Sequence, residues 1–165
     1  MHHTILLPPP ILPINKEPIN LLLKVTPVLV WPNGNLIDKD ARLPKACLQI
    51  IDTNKILFIS PGNHIRHNNV LIRMHGKSNL CLLSPCTMKE LLKWLSVDDF
   101  LQIHDAYIIN QYFACSISPH IEVNLIDFEL ALPIGRGRSE LVDRVLLPQK
   151  PFLPKRSHHK KHVNQ

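Results

Sequence analysis

The stretch Phe100–Asn110, FLQIHDAYIIN, decides the fold of this chain. It has two runs rich in apolar residues, Phe100–Ile103 and Tyr107–Ile109, and between them lie His104 and Asp105, which can hydrogen-bond outward. This pattern predicts two short strands joined by a polar corner, with Asn110 closing the second strand as a cap to a neighbouring loop. A corner held between buried strands is a rigid support for a few exposed polar side chains.

The composition indicates a folded domain rich in strands. The chain has 165 residues, of which 45% are hydrophobic and 5% aromatic. This length is enough for one domain with a core, and the apolar content excludes compositional disorder. Because aromatic residues are scarce, the core has to be built from Leu, Ile and Val, and the β-branched members of this set favour strands.

The positive charge is concentrated at the ends of the chain. The net charge is +6, with +2 in residues 1–45, −1 in residues 46–147 and +5 in residues 148–165. A basic excess fits a polyanionic partner. Any contact with nucleic acid therefore depends on local geometry in the middle of the chain, together with diffuse attraction from the tail.

These shifts in composition predict three regions. Residues 1–45 form a Pro-rich N-terminal accessory segment, in which the prolines prevent a long helix and disfavour a central strand. Within it, Val28–Trp31 is a candidate edge strand that ends at the turn signal Pro32–Asn35. Residues 46–147 form the compact domain, and residues 148–165 form a basic disordered tail.

The pattern over 46–147 predicts a mostly β fold of small antiparallel sheets with one or two short helices. Thr87 and Glu90 form a capping-box pattern that starts a helix ending near Leu95, and Ser139–Leu147 is a second helix. Apart from the two strands of the opening stretch, strands are expected at Lys55–Ser60, Val70–Met74, Leu80–Leu83, Tyr112–Ile117, Ile121–Leu125 and Phe128–Leu132.

Cysteine usage and the absence of targeting signals predict a cytoplasmic protein. The four cysteines are Cys47, Cys81, Cys86 and Cys115, and none forms a C-x-x-C pair. We interpret them as free thiols, most of them buried. The N-terminus lacks a secretory pattern, and no run reaches the roughly 18 apolar residues that a membrane span needs.

Four motifs together resemble the LytTR DNA-binding domain, a module of bacterial transcription regulators. The resemblance covers roughly residues 53–147, and the order and spacing of the motifs agree with it. Its best-marked motif is Phe100–Asn110. The other three are an apolar strand with a Gly-Asn corner, a short helix and a final Leu-Pro segment, at Ile56–His64, Met88–Leu95 and Leu132–Arg138.

The resemblance implies a function and a set of contacts. The family is mostly β, and its loops, rather than a recognition helix, enter successive major grooves of double-stranded DNA. Family members often bind paired sites, which implies a homodimer on DNA. By position, the implied contacts lie in the corner after the first strand, in the His-containing corner and after the last strand, at Asn63, His64, Arg66, His104, Asp105, Arg136 and Arg138.

Two positions depart from the family pattern. Asp105 stands where a polar residue other than an acid is usual, and its carboxylate would repel phosphate or accept from a cytosine amino group. The final segment reads Gly135-Arg136-Gly137-Arg138 instead of a Ser-Arg-Arg type, and glycines raise the entropy lost on ordering. His104 has two interpretations, as a donor to DNA or as a side chain that pins its own corner through a backbone carbonyl.

We therefore predict a DNA-binding transcription regulator with one LytTR-like domain, no receiver domain and no cofactor. The alternative is a protein-interaction module of the same fold without sequence-specific DNA binding, which the near-neutral middle region and Asp105 favour. A metal-dependent hydrolase using His64, His67 and His75 is the third hypothesis, but their spacing matches no zinc pattern. No nucleophile with a base and no phosphate loop is present, so we expect no catalysis.

Overall fold

The computed structural model describes residues 3–8 and 19–147, which form eleven strands, two α-helices and three 3-10 helices. The strands are β1 (Ile5–Leu6), β2 (Asn20–Leu29), β3 (Cys47–Asp52), β4 (Ile56–Pro61), β5 (Val70–Met74), β6 (Leu80–Ser84), β7 (Phe100–His104), β8 (Tyr107–Asn110), β9 (Ala114–Ser118), β10 (Glu122–Leu125) and β11 (Leu132–Pro133). The α-helices are α1 (Met88–Trp94) and α2 (Ser139–Leu146), and the 3-10 helices are Thr53–Lys55, Gln111–Phe113 and Arg136–Arg138.

The strands form two sheets, and their pairs are antiparallel. The larger sheet has seven strands in the order β3-β2-β6-β5-β4-β8-β7, and the smaller has four in the order β1-β9-β10-β11. Together with the two short helices, this arrangement confirms the predicted mostly β fold. The predicted tail, 148–165, lies outside the described residues.

The two faces of the larger sheet bury different clusters of apolar side chains. Ile59, Ile72 and Ile108 lie on one face and pack with Leu91 of α1. On the other face, Phe58 and its neighbours pack against the smaller sheet and α2. Alternation of side chains along each strand produces this division, because successive residues point to opposite faces.

The opening stretch forms the predicted hairpin of β7 and β8. Leu101 pairs with Ile109, and Asn110, which is 2% exposed, ends the second strand. The Asn110 amide donates to the Ile56 carbonyl at 3.0 Å and accepts from the Tyr112 backbone N–H at 3.1 Å. This buried side chain therefore joins the end of β8 to the start of β4.

The start of α1 follows from its sequence. The Thr87 hydroxyl accepts from the Glu90 backbone N–H, and the Glu90 carboxylate accepts from the Thr87 backbone N–H. The two bonds satisfy donors that a helix N-terminus otherwise leaves unpaired. The predicted capping box is confirmed.

The N-terminal region contributes more to the sheet than its prolines indicate. Strand β2 is ten residues long and lies between β3 and β6, so the expectation that prolines disfavour a central strand there is wrong. It pairs with β3 over residues 20–25 and with β6 over residues 26–29. Pro27 thus lies where the strand pairs on one side, a position at which a missing N–H is tolerated. The division of the chain at residue 45 stays a prediction.

The strand predicted at Phe128–Leu132 is wrong. Only Leu132 and Pro133 pair, and the chain turns at Asp127, whose φ is 55°. The turn brings the Phe128 ring to 4.9 Å from the Phe58 ring. Packing of this ring against the larger sheet therefore outweighs the strand preference of the apolar run. The start of the strand predicted at Tyr112 is instead a 3-10 helix.

We predict that Asn110→Ala lowers the free energy of unfolding by about 1–3 kcal/mol, because it leaves a buried acceptor and a buried donor without partners. Asn110→Asp keeps the acceptor for Tyr112 but loses the donor to Ile56, so we expect a clear loss of unfolding free energy for this variant too. Urea denaturation followed by circular dichroism measures both changes. Asn20→Ala, at an exposed position of β2, is the control, and an equal loss there would contradict the role of Asn110.

Candidate nucleic-acid interface

The register of the larger sheet places two of the predicted corners at one end. Strand β4 pairs with β8 through Phe58 opposite Ile109 and Ile59 opposite Ile108. If this register is continued to the end of β4, Pro61 lies opposite Ala106, in the corner between β7 and β8. The corner after β4 and the His104–Asp105 corner are therefore on the same side of the molecule.

The His104 corner is fixed by its own side chain. The ring is half-buried and its Nδ1 accepts from the Ala106 backbone N–H at 3.0 Å. A ring nitrogen that accepts carries no proton, so in the neutral imidazole Nε2 carries it and is a donor. His104 thus pins its corner, by accepting from an N–H rather than by donating to a carbonyl, and it still has a donor for a partner.

The segment Gly135–Arg138 packs directly on this corner. The Gly135 N–H donates to the Ile103 carbonyl at 2.8 Å, and the Arg138 N–H donates to the Gly135 carbonyl at 2.9 Å. The second bond closes a 3-10 turn, so the segment has a defined conformation although it contains two glycines. A Cβ at Gly135 would lie 3.4 Å from the His104 Cα, which shows how closely the two segments approach.

Four of the predicted contact residues consequently share one surface depression. It is lined by His104 and Asp105 from one side and by the segment from Gly135 to Arg138 from the other. Arg136 is exposed, and the hydrogen bonds and ion pairs of the described residues do not include its guanidinium. A cationic side chain of this kind can fork onto phosphate or onto a guanine edge without first breaking an internal bond.

Arg138 is already paired within the protein. Its Nη2 donates to the Asp105 Oδ1 at 2.9 Å, and the Asp105 side chain is 92% exposed. This hydrogen bond and the positive charge of Arg138 lower the pKa of Asp105 below its ordinary value. Asp105 therefore stays ionised at neutral pH and offsets the charge of one of the two arginines.

The corner after β4 is built differently and is not part of that depression. His64 Nε2 donates to the Gly34 carbonyl at 2.7 Å, and Arg66 Nη1 donates to the Thr26 hydroxyl at 3.3 Å. Asn63 is exposed at the tip. Two of the three predicted contacts in this corner thus tie it to the N-terminal region.

Sequence reasoning missed the supporting role of Gly34 and Thr26. The sequence predicts the turn Pro32–Asn35, and Gly34 has the positive φ of 90° that such a turn requires. Nothing in the sequence showed that its carbonyl meets a histidine thirty residues later.

Other kinds of site receive no support from the geometry. Within residues 3–8 and 19–147, no group of three His, Cys, Asp or Glu side chains is placed to hold a metal ion. The two α-helices described are seven and eight residues long, and neither reaches the length of a membrane span. The four cysteines are free thiols, with Cys81 and Cys86 buried and Cys47 exposed.

Comparison with known proteins gives a structural match. The sequence matches no protein-family model and no curated protein. Among solved structures, the fold is similar to the LytTr DNA-binding domain of a Bacillus cereus protein described as a methyl-accepting/DNA response regulator. The TM-score is 0.50 at 12% sequence identity, and the match covers 74% of this chain and 95% of that domain. The chain therefore has the fold of a LytTR DNA-binding domain.

Proposed function

We propose that this protein is a transcription regulator that binds double-stranded DNA through loops at one end of its larger sheet. The observation that carries the proposal is the shared depression of His104, Asp105, Arg136 and Arg138, on a fold similar to a DNA-binding domain. The proposed action is binding alone, without a catalysed reaction or a cofactor.

In this proposal Arg136 makes the first contact. Its guanidinium is exposed and, among residues 3–8 and 19–147, has no hydrogen-bond or ion-pair partner to give up. The His104 Nε2–H lies in the corner next to it and adds a neutral donor. Because loops rather than a helix carry these groups, the strands behind them supply the rigidity that positions the contacts.

Arg138 has to exchange Asp105 for DNA. An exposed ion pair stabilises a protein only slightly, so phosphate can displace the carboxylate at little cost. The displaced Asp105 carboxylate then lies near a polyanion and opposes binding, unless it accepts from a cytosine amino group. Asp105 therefore lowers the affinity for DNA and makes that affinity depend on the base at one position of the site.

The remaining contacts and regions complete the proposal. Asn63 reaches DNA from the tip of the corner after β4, with His64 and Arg66 holding that corner in place. Residues 148–165, with five Lys or Arg and no acids, add sequence-independent attraction that salt screens. We propose a cytoplasmic bacterial protein with a DNA-binding domain at 46–147, which forms a homodimer on paired sites.

The second candidate is a protein-interaction module of the same fold. The observation that favours it is an exposed apolar cluster on the ribbon of β2 and β3. Leu22 and Ile50 are opposite each other in the register and are 64% and 71% exposed, and nearby Leu48 is 62% exposed. Binding that persists in high salt, without enrichment of any DNA sequence, would support this function over the first.

We predict that Arg136→Ala weakens binding to the best selected DNA site by about 1–3 kcal/mol, roughly 5- to 150-fold, if the guanidinium reads a base. If it contacts phosphate instead, affinity falls uniformly across sequences and the salt slope decreases by about one. The measurement is selection from random duplexes at two salt concentrations, followed by fluorescence anisotropy on the full chain.

Lys89→Ala is the matched control for Arg136→Ala, because Lys89 is an exposed cation on α1, away from the depression. It should change the affinity of the selected site little. If Arg136→Ala and Arg138→Ala both leave affinity and sequence preference at the level of this control, the assigned interface is wrong.

We predict that Asp105→Asn tightens DNA binding and steepens its salt dependence. The substitution removes a negative charge from the depression and releases Arg138, so about one more phosphate is neutralised and the logarithmic salt slope becomes more negative by about 0.9. Anisotropy titrations over a salt series measure both effects. An unchanged slope, or weaker binding to every sequence, would contradict the opposing role of Asp105.

A further inference from the structure

Arg73 on β5 is a buried cation at the opposite end of the larger sheet. The residue is 3% exposed, and its guanidinium lies 5.7 Å from the Phe58 ring centroid and 5.1 Å from that of Phe128. Nη1 donates to the Ser78 carbonyl and Nη2 to the Trp31 carbonyl, each at 2.9 Å. Two neutral carbonyls and two aromatic faces thus surround a full positive charge.

The guanidinium lacks a counter-charge in the part of the chain that the structure describes. It forms no ion pair there, and its Nε, although buried, has no hydrogen-bond partner. The nearby Cys81 thiol does not supply a negative charge, since burial raises its pKa to about 11 against the lowering effect of Arg73. Buried charges are normally paired, and a buried donor without an acceptor is costly.

A cavity of about 180 Å³, half open to solvent, is lined in part by Arg73. Its lining combines apolar side chains, among them Leu57 and Phe128, with the polar residues of the turn that follows β5, among them His75 and Lys77. A cavity of about 150 Å³ is enough for a benzene-sized molecule. The space therefore suits a small organic molecule with one polar end.

Asp127, the one carboxylate on the lining among the residues that the structure describes, is paired elsewhere. Its Oδ2 lies 3.2 Å from the His75 Nε2, and its side chain is 75% exposed. His75 is itself held by stacking on Phe113, with ring centroids 4.5 Å apart. The cavity thus has two cations, Arg73 and Lys77, and one acid whose partner is already in place.

We propose that this cavity binds a small organic carboxylate, which lies against the Arg73 side chain as its counter-charge and places its apolar body against Leu57 and Phe128. The site is separate from the proposed DNA interface, since β4 and β5 run between the two ends of the sheet. The Lys77 ammonium at the rim adds a second positive charge. Binding supplies the counter-charge that the described residues do not provide at Arg73.

The test uses benzoate and benzamide, which have the same shape but differ in charge. At matched ionic strength, benzoate should raise the melting temperature of the full chain and shift the Arg73 Nε–Hε resonance in a proton–nitrogen correlation spectrum. Benzamide should do neither. Inorganic phosphate tests whether an anion without an apolar body binds, and we expect it to bind more weakly than benzoate.

Two variants locate the effect. Arg73→Met keeps a similar volume without the charge, and it should abolish the response to benzoate. Lys77→Gln should weaken benzoate binding about two- to fivefold, the range of an exposed charge interaction. Lys89→Gln, the same change on α1, should leave it unaltered. If Arg73→Met does not fold, two measurements test the proposal instead: the shift of the Arg73 Nε–Hε resonance in the unmodified chain, and the benzoate affinity of Lys77→Gln.

Several results would overturn the proposal. One is an equal response to benzoate and benzamide, and another is a response to phosphate alone. A third is a benzoate response confined to resonances of Gly135–Arg138, which would place the anion at the DNA interface. If Asp127→Asn shifts the Arg73 Nε–Hε resonance while benzoate does not, Asp127 is the counter-charge and the cavity has no carboxylate to bind. None of these assays contains DNA, so a failure of the carboxylate proposal would not count against the proposed DNA-binding function.

Discussion

The antiparallel pairing of β4 with β8 is the contact on which the rest of the structure depends. It joins the hairpin of β7 and β8 to β4 and the four strands beyond it, so the larger sheet is one sheet only because of this pairing. It involves few residue pairs, and Asn110 extends it by bonding to the Ile56 carbonyl. A slip of one residue would turn Ile108 and Ile109 to the wrong faces and move the His104 corner away from the end of β4. Packing on both faces therefore fixes the position of the loops.

The loops themselves contain opposing electrostatic features. Arg138 and Asp105 pair at 2.9 Å, while Arg136 beside them is exposed. If both arginines were unpaired, the depression would attract any polyanion. The Asp105 carboxylate lowers this attraction to phosphate more than it lowers the free energy of a contact with base edges. In the proposed function, the near-neutral charge of residues 46–147 leaves the sequence-independent attraction to DNA to residues 148–165.

The sequence predicts elements whose cause is local and misses those whose cause is distant. The capping box at Thr87, the hairpin at Phe100–Asn110 and the helix near Ser139 follow from spacing within a few residues. Strand β3 was missed because its partner β2 lies more than twenty residues away in a Pro-rich region. Phe128 was misplaced because its ring packs on Phe58 and Arg73, which no local pattern shows. The candidate site was predicted by resemblance, but the pairing of Asp105 with Arg138 depends on the tertiary fold.

The same distinction between local and distant causes applies to Arg73. In the strand Val70–Met74 it is one arginine among aliphatic residues, which a local reading takes for an exposed position on the wet face of a sheet. Both faces of β5 are covered, so the guanidinium is buried instead, and the turn of Asp127 brings Phe128 over it. Replacing such a cation by an apolar side chain of equal volume is often neutral or stabilising in other proteins, so stability alone does not explain its presence. A binding role gives the buried charge a physical reason, because a ligand anion beside Arg73 would meet a cation whose position two hydrogen bonds already fix.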